Sequence, residues 1–425
     1  MATLSGRRRG VLTKARPARR HLLHGVDLVL WGIPLAMTFL AGILIASTQR
    51  QADYADWYQH WITGMVGLGL ALLLARLPLQ RLNALLLPLY GLTVASLISV
   101  RFIGTYALGA QRWVNIAGFH VQPSEFAKLG AILLLAGVLS RYPIERPVDL
   151  IRPTGVFLVP WVLVFIEPNL GTSLVFGAVL LVMLFWAGMP LAWVVLLLSP
   201  LASAILAGTV PWALLVLIPL IGVLAYRSLP WKRTGLAIVL AVQGLASVLT
   251  PYLWQHGLKA YQRDRLVMFL DPSKDPLGGG YHLLQSKIGI GSGELWGTGL
   301  MHGQLTKLRF IPEQHTDFIF SALGEETGFI GSMLVVIGFV ALMWRLLQIA
   351  GKARSDFESL VVVGIGAMVM FQVVVNIFMT IGLGPVTGIP LPWMSYGRSS
   401  MLVNFIALGL CASVHRRSRS SQGGW

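Results

Sequence analysis

About twelve apolar runs, separated by short polar breaks, dominate this chain. They fall at 27–47, 61–76, 84–100, 126–140, 154–166 and 172–188, then at 191–207, 209–225, 235–253, 318–344, 359–381 and 399–414. A hydrocarbon core of roughly 30 Å takes about 20 residues of α-helix, and within it every backbone N–H and C=O must be bonded inside the protein. Repeated runs of this kind predict an all-α polytopic membrane bundle of about ten to twelve transmembrane helices. The runs at 61–76 and 154–166 are short enough to tilt or re-enter, and 190–253 is hard to divide. Composition agrees: 55% of the 425 residues are hydrophobic and 12% charged, about half the charge of a soluble domain. A soluble globular enzyme, a disordered scaffold and a nucleic-acid-binding domain are excluded.

A net charge of +16 would suggest nucleic acid in a soluble chain, but the cations gather where a bilayer wants them. Residues 1–24 carry Arg7, Arg8, Arg9, Lys14, Arg16, Arg19 and Arg20 with no acid, and 416–425 carry Arg416, Arg417 and Arg419. Both read as cytoplasmic tails flanking a transmembrane domain over 25–415. With alternating spans, Arg76, Arg81, Arg141, Arg146, Arg152, Arg227, Lys232, Arg233, Arg345, Lys352 and Arg354 fall on the side of the tails. An even number of spans satisfies the positive-inside rule. The first run, of about 21 residues, exceeds the roughly 7–15-residue core of a signal peptide and reads as a retained span. Cys411, the single cysteine, excludes disulfides and thiolate metal clusters.

Residues 254–317 make a long loop on the outer side, rich in Gly, Pro and charge. Such a loop in a compact domain is usually functional. It ends in Phe310-Ile311-Pro312-Glu313-Gln314-His315-Thr316-Asp317-Phe318-Ile319-Phe320. Asp317 reads either as a charge at a helix N-terminus or as a carboxylate at the membrane surface, made a stronger base toward a hydroxyl by desolvation. Spacing leaves both open.

A second cluster is Gln111-Arg112-Trp113 followed by Gln122-Pro123-Ser124-Glu125-Phe126-Ala127-Lys128. Pro123 suits the first helical position and sets Glu125 and Lys128 on one face, as a local ion pair or as cavity-lining charges. Ionisable groups within a span cost roughly 2.5–3.5 kcal/mol each and tend to mark sites or pathways. Glu325 and Glu326 point about 100° apart on a helix, so one is expected at a cavity and the other against a buried partner. Asn376 reads as an interhelical hydrogen bond, and Arg398 is a further polar residue at membrane depth. The glycines of 288–293 form no phosphate loop, 271–280 reads as turns, and neither D-x-D nor H-E-x-x-H occurs. Any transferase chemistry then needs a donor already in the membrane.

These blocks resemble those of the SEDS (shape, elongation, division, sporulation) family. Residues 263–271, 275–278 and 281–286 look like its outer loop, and 311–320 is similar to its P-E-x-H-T-D-F-I-F signature. Residues 122–128, 168–173 and 390–397 match three further blocks in order. The Tyr281-His282 and Glu313-Gln314-His315 variants look more like the elongation branch, RodA, than the division branch, FtsW. The chain departs from the pattern at His120, where some members carry Arg, at Asn169, where Asp is common, and at Arg398, where Gly usually follows Tyr396-Gly397. The stretch 190–253 adds two spans to the usual ten.

The resemblance implies a peptidoglycan glycosyltransferase that polymerises lipid II into glycan strands during cell elongation and shape maintenance. Its partner would be a class B penicillin-binding transpeptidase of the elongation machinery. The family's essential acid falls on Asp317 and its cavity residues on Gln122, Glu125 and Lys128. Asp317 would take the proton of the acceptor hydroxyl for an inverting attack as undecaprenyl pyrophosphate leaves. Lys128, Arg112 and loop cations would hold the phosphates, and Arg263, His282, Lys287, His315 and Arg398 complete the expected substrate-binding set. A divalent cation, Mg²⁺ or Mn²⁺, could assist, and no nucleotide cofactor is expected. Rival readings are a lipid II flippase and a non-catalytic scaffold for the transpeptidase. The site is expected to face outward from the bacterial plasma membrane, with both termini cytoplasmic.

Overall fold

A computed structural model describes residues 27–49, 56–107, 110–116, 118–167, 169–256, 279–308, 310 and 313–422. The expected tail at 1–24, and Arg263 with the rest of 257–278, lie outside these residues. Nine helices come first: α1 (Leu28–Thr48), α2 (Trp57–Leu74), α3 (Leu86–Ile103), α4 (Pro123–Leu139), α5 (Ile151–Ile166), α6 (Leu170–Trp186), α7 (Leu191–Thr209), α8 (Leu214–Ser228) and α9 (Lys232–His256). Two short helices, α10 (Gly279–Ser292) and α11 (Gln304–Leu308), precede α12 (Ile319–Gly351), α13 (Asp356–Ile381) and α14 (Arg398–Gln422). Among the described residues, eight helices are long and apolar enough to cross a membrane. The chain is a multi-pass membrane protein built as a helical bundle.

The helical expectation omitted one small element. Between α3 and α4 the chain forms a three-stranded antiparallel sheet of β1 (Thr105–Ala107), β2 (Ala110–Ile116) and β3 (Phe119–Val121). Aromatic and β-branched residues supply the strands. Gly118 closes the second turn at φ +85, where its amide donates to Asn115 Oδ1 at 2.9 Å. The sheet carries Arg112.

The centre of the bundle is α4, buried along almost its whole length, with α13 beside it. Glycines let helices approach closely there: Gly130 faces Thr93, Gly137 faces Leu86, and Gly364 faces Ile132 and Met183. At the basic end of the bundle, Asp27 caps α1 and binds Arg345 of α12 at 2.6 Å, with His415 of α14 3.4 Å from the same carboxylate. The stretch 190–253 resolves into α7, α8 and α9, which pack chiefly on one another. Gln243 clasps Ser199 and Ser203 across α7 and α9.

The largest departure from a regular bundle is in α12. Gly328 there has φ 67 and ψ −166, so the helix breaks. The loop that follows α10 takes over the bonds the break sets free. Thr298 and Gly299 donate to the carbonyls of Glu325 and Glu326 at 2.9 and 3.0 Å, while Phe329 and Ile330 donate to the carbonyls of Glu294 and Leu295 at 2.8 and 3.2 Å. The two carboxylates hold the same strap. Glu325 accepts from the amides of Leu305 and Thr306, both at 2.8 Å, and Glu326 from Ser47 and the amide of Met301. The expectation that one of them faces a cavity is corrected: both are buried fasteners of the loop.

A Cβ at Gly328 would stand 2.3 Å from the Gly297 nitrogen. Gly328→Ala is predicted to destabilise the solubilised protein by about 1–3 kcal/mol, read as a lower melting temperature. Gly244→Ala, which meets nothing within 4 Å on α9, should leave it unchanged or slightly raised.

Candidate active site

The N-termini of α4, α6, α12 and α14 meet at the end of the bundle opposite the basic loops. The contacts that join them are specific. The Gln122 amide, at the N-cap of α4, donates to Ser399 Oγ in the first turn of α14 at 3.0 Å. Gly171, in the first turn of α6, packs so closely on segment 387–389 that an added Cβ would stand 2.7 Å from the Thr387 carbonyl oxygen. Asn169 caps that helix by accepting from the Thr172 amide at 3.3 Å, so Asn in place of the common Asp keeps the cap. The positive ends of four helix dipoles therefore share one face.

Asp317 sits on this face, half-buried, directly ahead of α12. The turn is set by Glu313, whose φ of 50 folds its carbonyl toward the amides of Thr316, Asp317 and Phe318. The N-cap of α12 is Phe318, without a side-chain cap bond, so Asp317 is not the helix cap that spacing allowed. Asn376 of α13 donates its Nδ2 both to the Asp317 carbonyl, at 2.8 Å, and to the Ile389 carbonyl, at 2.7 Å. One amide thus ties the aspartate turn to the 387–389 segment. Between them, Gly388 lies in the left-handed region at φ +71, and a Cβ on it would stand 3.2 Å from Asp317 Oδ2. Glycine is what leaves room beside that carboxylate.

The other expected residues divide into near neighbours and distant braces. The His315 carbonyl accepts from the Tyr396 amide at 2.8 Å, and the two rings lie 5.8 Å apart. His282 of α10 stacks on Phe318, next to the aspartate, at 6.2 Å between centroids. Lys287, also on α10, is exposed and lies against Gly382, the left-handed C-cap of α13, where its ammonium meets a helix C-terminus. Arg398 binds Gln59 of α2 and lies over the Phe119 ring at 5.2 Å, bracing the sheet against α2 and α14.

Glu125 and Lys128 form a buried pair, with Nζ 2.8 and 2.9 Å from the two carboxylate oxygens and exposures of 3% and 2%. They lie one turn below the converging N-termini.

Sequence reasoning missed Glu167. Arg112 Nε donates to its backbone carbonyl at 3.3 Å, and both carboxylate oxygens are buried without a hydrogen-bond partner among the described residues. Burial pushes the Glu167 carboxyl up to about 7, with Arg112 pulling the other way. A carboxylate closing an apolar run just ahead of Pro168 was the available signal.

The profile of the FtsW/RodA/SpoVE cell cycle protein family matches residues 20–213 and 207–420. The chain belongs to that family. Peptidoglycan glycosyltransferase MrdB of Escherichia coli K12 is 34% identical over 358 residues, 83% of this chain and 84% of that protein. Peptidoglycan glycosyltransferase RodA of Treponema pallidum is 34% identical over 348 residues, 76% of this chain and 80% of its own. A solved chain, described under structural coordination of polymerization and crosslinking by a peptidoglycan synthase complex, has a TM-score of 0.69 at 29% identity, covering 92% of this chain and 98% of that one. The crystal structure of the rod shape determining protein RodA of Thermus thermophilus has a TM-score of 0.60 at 27% identity, covering 93% and 98%. Within the family the likeness is to RodA.

Two predictions come from the site. Asn376→Ala frees the carbonyls of Asp317 and Ile389, and a misplacement of about 1 Å near the chemistry can cost on the order of 100-fold. Its glycan-forming rate is predicted to fall at least roughly tenfold with substrate KM little changed, and Asn376→Asp, which cannot donate, should not restore it. For Glu167, the folded carboxyl stays protonated to higher pH than the unfolded one, whose ordinary value is 4.5. Stability is then full below that value and is lost as pH rises toward 7. Melting temperatures taken across this window should fall for the parent and fall less for Glu167→Gln.

Proposed function

We propose that Asp317 is the general base of a lipid II polymerase. The chain is a glycosyltransferase of peptidoglycan synthesis, of the kind that serves cell elongation. In the finer reading, the carboxylate removes a proton from the acceptor sugar hydroxyl, the oxygen attacks the anomeric carbon of the donor, and the bond to undecaprenyl pyrophosphate breaks with inversion. Pyrophosphate is already a good leaving group, so developing charge on its oxygens needs stabilisation rather than a proton. The observation that carries this reading is the carboxylate's place beside Gly388 on the face where four helix N-termini meet. Oriented amides and dipole ends suit an anionic diphosphate and need no reorganisation as charge develops.

The roles of the neighbours follow from their contacts. Arg112 is a cation of the expected set that can add to this field, held on the Glu167 carbonyl at the outer end of α5. Lys128 is engaged by Glu125, which favours a structural and field role over direct transfer of charge to the substrate. Asn376 is a positioning residue acting through the Asp317 backbone. His282 and His315 flank the turn and fit sugar or peptide contacts. A divalent cation would rest mainly on diphosphate oxygens with one or two carboxylates, because no three His, Cys, Asp or Glu side chains gather among the described residues. No step here depends on it. The positive-inside rule places the basic end in the cytoplasm and Asp317 at the outer surface of the plasma membrane. There a class B transpeptidase would cross-link the product.

Purified protein given lipid II in detergent, with no second compartment, tests the reading. Asp317→Asn is predicted to lose about 100- to 10,000-fold in polymerisation rate while remaining folded and monodisperse. A near-parental rate would overturn the proposal, and a parent that makes no strands would favour a transporter. For the ion pair, Lys128→Ala strands a buried carboxylate and is predicted to cost about 3–5 kcal/mol. The double variant Glu125→Gln/Lys128→Met should recover the melting temperature. Recovery of rate as well would limit the pair to a structural role.

A further inference from the structure

At the basic end, far from Asp317, the packing of α7–α9 leaves a groove that glycan chemistry does not use. A cavity of about 290 Å³ opens there, lined by Pro147, Leu150, Trp193, Leu197, Leu229 and Val242. Its walls are apolar, and Gln243 at its inner end is already engaged by Ser199 and Ser203. The groove runs from the start of α7 and α9 to about Pro200 and Gln243, roughly 10–16 Å at 1.5 Å per residue. A hydrocarbon chain suits such walls; a sugar or water cluster does not.

The mouth has a different character. Arg146 stands directly before Pro147 and Arg152 opens α5, while Arg227, Lys232 and Arg233 flank Leu229; all five are exposed. The acids nearby are Glu145 and Asp149, and the Asp149 carboxylate already accepts the amides of Glu145 and Arg146 at 3.0 and 2.7 Å. Aromatic rings gather at the same level, as at a membrane interface. Tyr142 lies under Arg152 at 4.7 Å, Tyr226 under Lys232 at 5.8 Å, and the Trp193 indole donates to the Ser228 carbonyl at 3.2 Å. Ser228 Oγ is buried beside Leu229 with no hydrogen-bond partner among the described residues.

We propose that this groove binds an anionic phospholipid from the leaflet at the basic end, one acyl chain lying along α7 and α9 and the phosphate held at the mouth between Arg146 and Arg152 on one side and Lys232 and Arg233 on the other. The apolar walls accept any acyl chain. The cations select the headgroup, as juxtamembrane basic clusters do for anionic lipids. The site is built by α7–α9 with the turn that opens α5, and is separate from the polymerisation site.

Native mass spectrometry of the full-length protein, given equimolar phosphatidylglycerol and phosphatidylcholine, tests this. The parent should retain one phosphatidylglycerol in clear preference, by about tenfold. The variant Arg146→Gln/Arg152→Gln/Lys232→Gln/Arg233→Gln should lose the preference, and Arg76→Gln/Arg81→Gln, basic but distant from the groove, should keep it. Leu197→Trp, which fills the groove, should lower retention of both lipids, and it decides the matter if the fourfold variant fails to purify. Equal retention of the two lipids by the parent, an undiminished preference in the fourfold variant, undiminished retention in the Leu197→Trp variant, or preference for a prenyl phosphate over phosphatidylglycerol would overturn the proposal.

Discussion

The exchange of backbone hydrogen bonds at Gly328 is the constraint on which the site depends. A helix interrupted at membrane depth frees donors and acceptors that neither lipid nor water can satisfy there. The strap at 294–299 supplies the missing partners to Glu325, Glu326, Phe329 and Ile330. Once that strap is committed, α10 and α11 are fixed over the first turns of α12, with both glutamates as additional fasteners. The turn holding Asp317 is then positioned from three sides: α11, whose Thr306 carbonyl accepts from Gln314, Asn376 of α13, and the segment that leads into α14. A loop outside a bundle would ordinarily be mobile; this one is tied to the core by buried bonds.

Electrostatics are divided in a consistent way. Cationic side chains crowd the basic end, and among the described residues the opposite end gathers helix N-termini and backbone amides. Such a field costs little to maintain, because dipoles need not be desolvated like ammonium groups. Some of the expected substrate-binding cations also make contacts within the bundle: Lys287 lies against Gly382 at the C-terminus of α13, Arg398 binds Gln59 and lies over Phe119, and Lys128 pairs with Glu125. Gly388 lies beside Asp317 Oδ2 and puts no side chain there.

The helices were legible in the sequence because lipid forces a simple code, and even the crowded stretch at 190–253 parts into α7, α8 and α9 close to where its apolar runs divide. Asp317 and the Glu125–Lys128 pair could be named from residue type and spacing, and the family likeness ordered them. The break at Gly328 could not be read, since glycine is common in membrane helices and the partners that stabilise its positive φ lie some thirty residues earlier in the chain. One of Glu325 and Glu326 was expected at a cavity for the same reason: the amides that hold them, Met301, Leu305 and Thr306, lie in a segment with no readable periodicity. Asn376 was legible as a hydrogen bond, but that its partners are the carbonyls of Asp317 and Ile389 is a tertiary fact. Glu167 gave only a weak signal, a lone carboxylate between an apolar run and a proline.

The central claim is that the Asp317 carboxylate meets the attacking hydroxyl while the helix N-termini meet the diphosphate. The most direct measurement is an experimental density map of the protein bound to a lipid II analogue that cannot transfer its sugar, with an acceptor glycan in place. The account predicts the acceptor hydroxyl within about 2.6–3.2 Å of an Asp317 oxygen, and the diphosphate against the first turns of α4, α6 or α14. A bound acceptor whose hydroxyl faces another carboxylate, with Asp317 turned into packed helix, would contradict it.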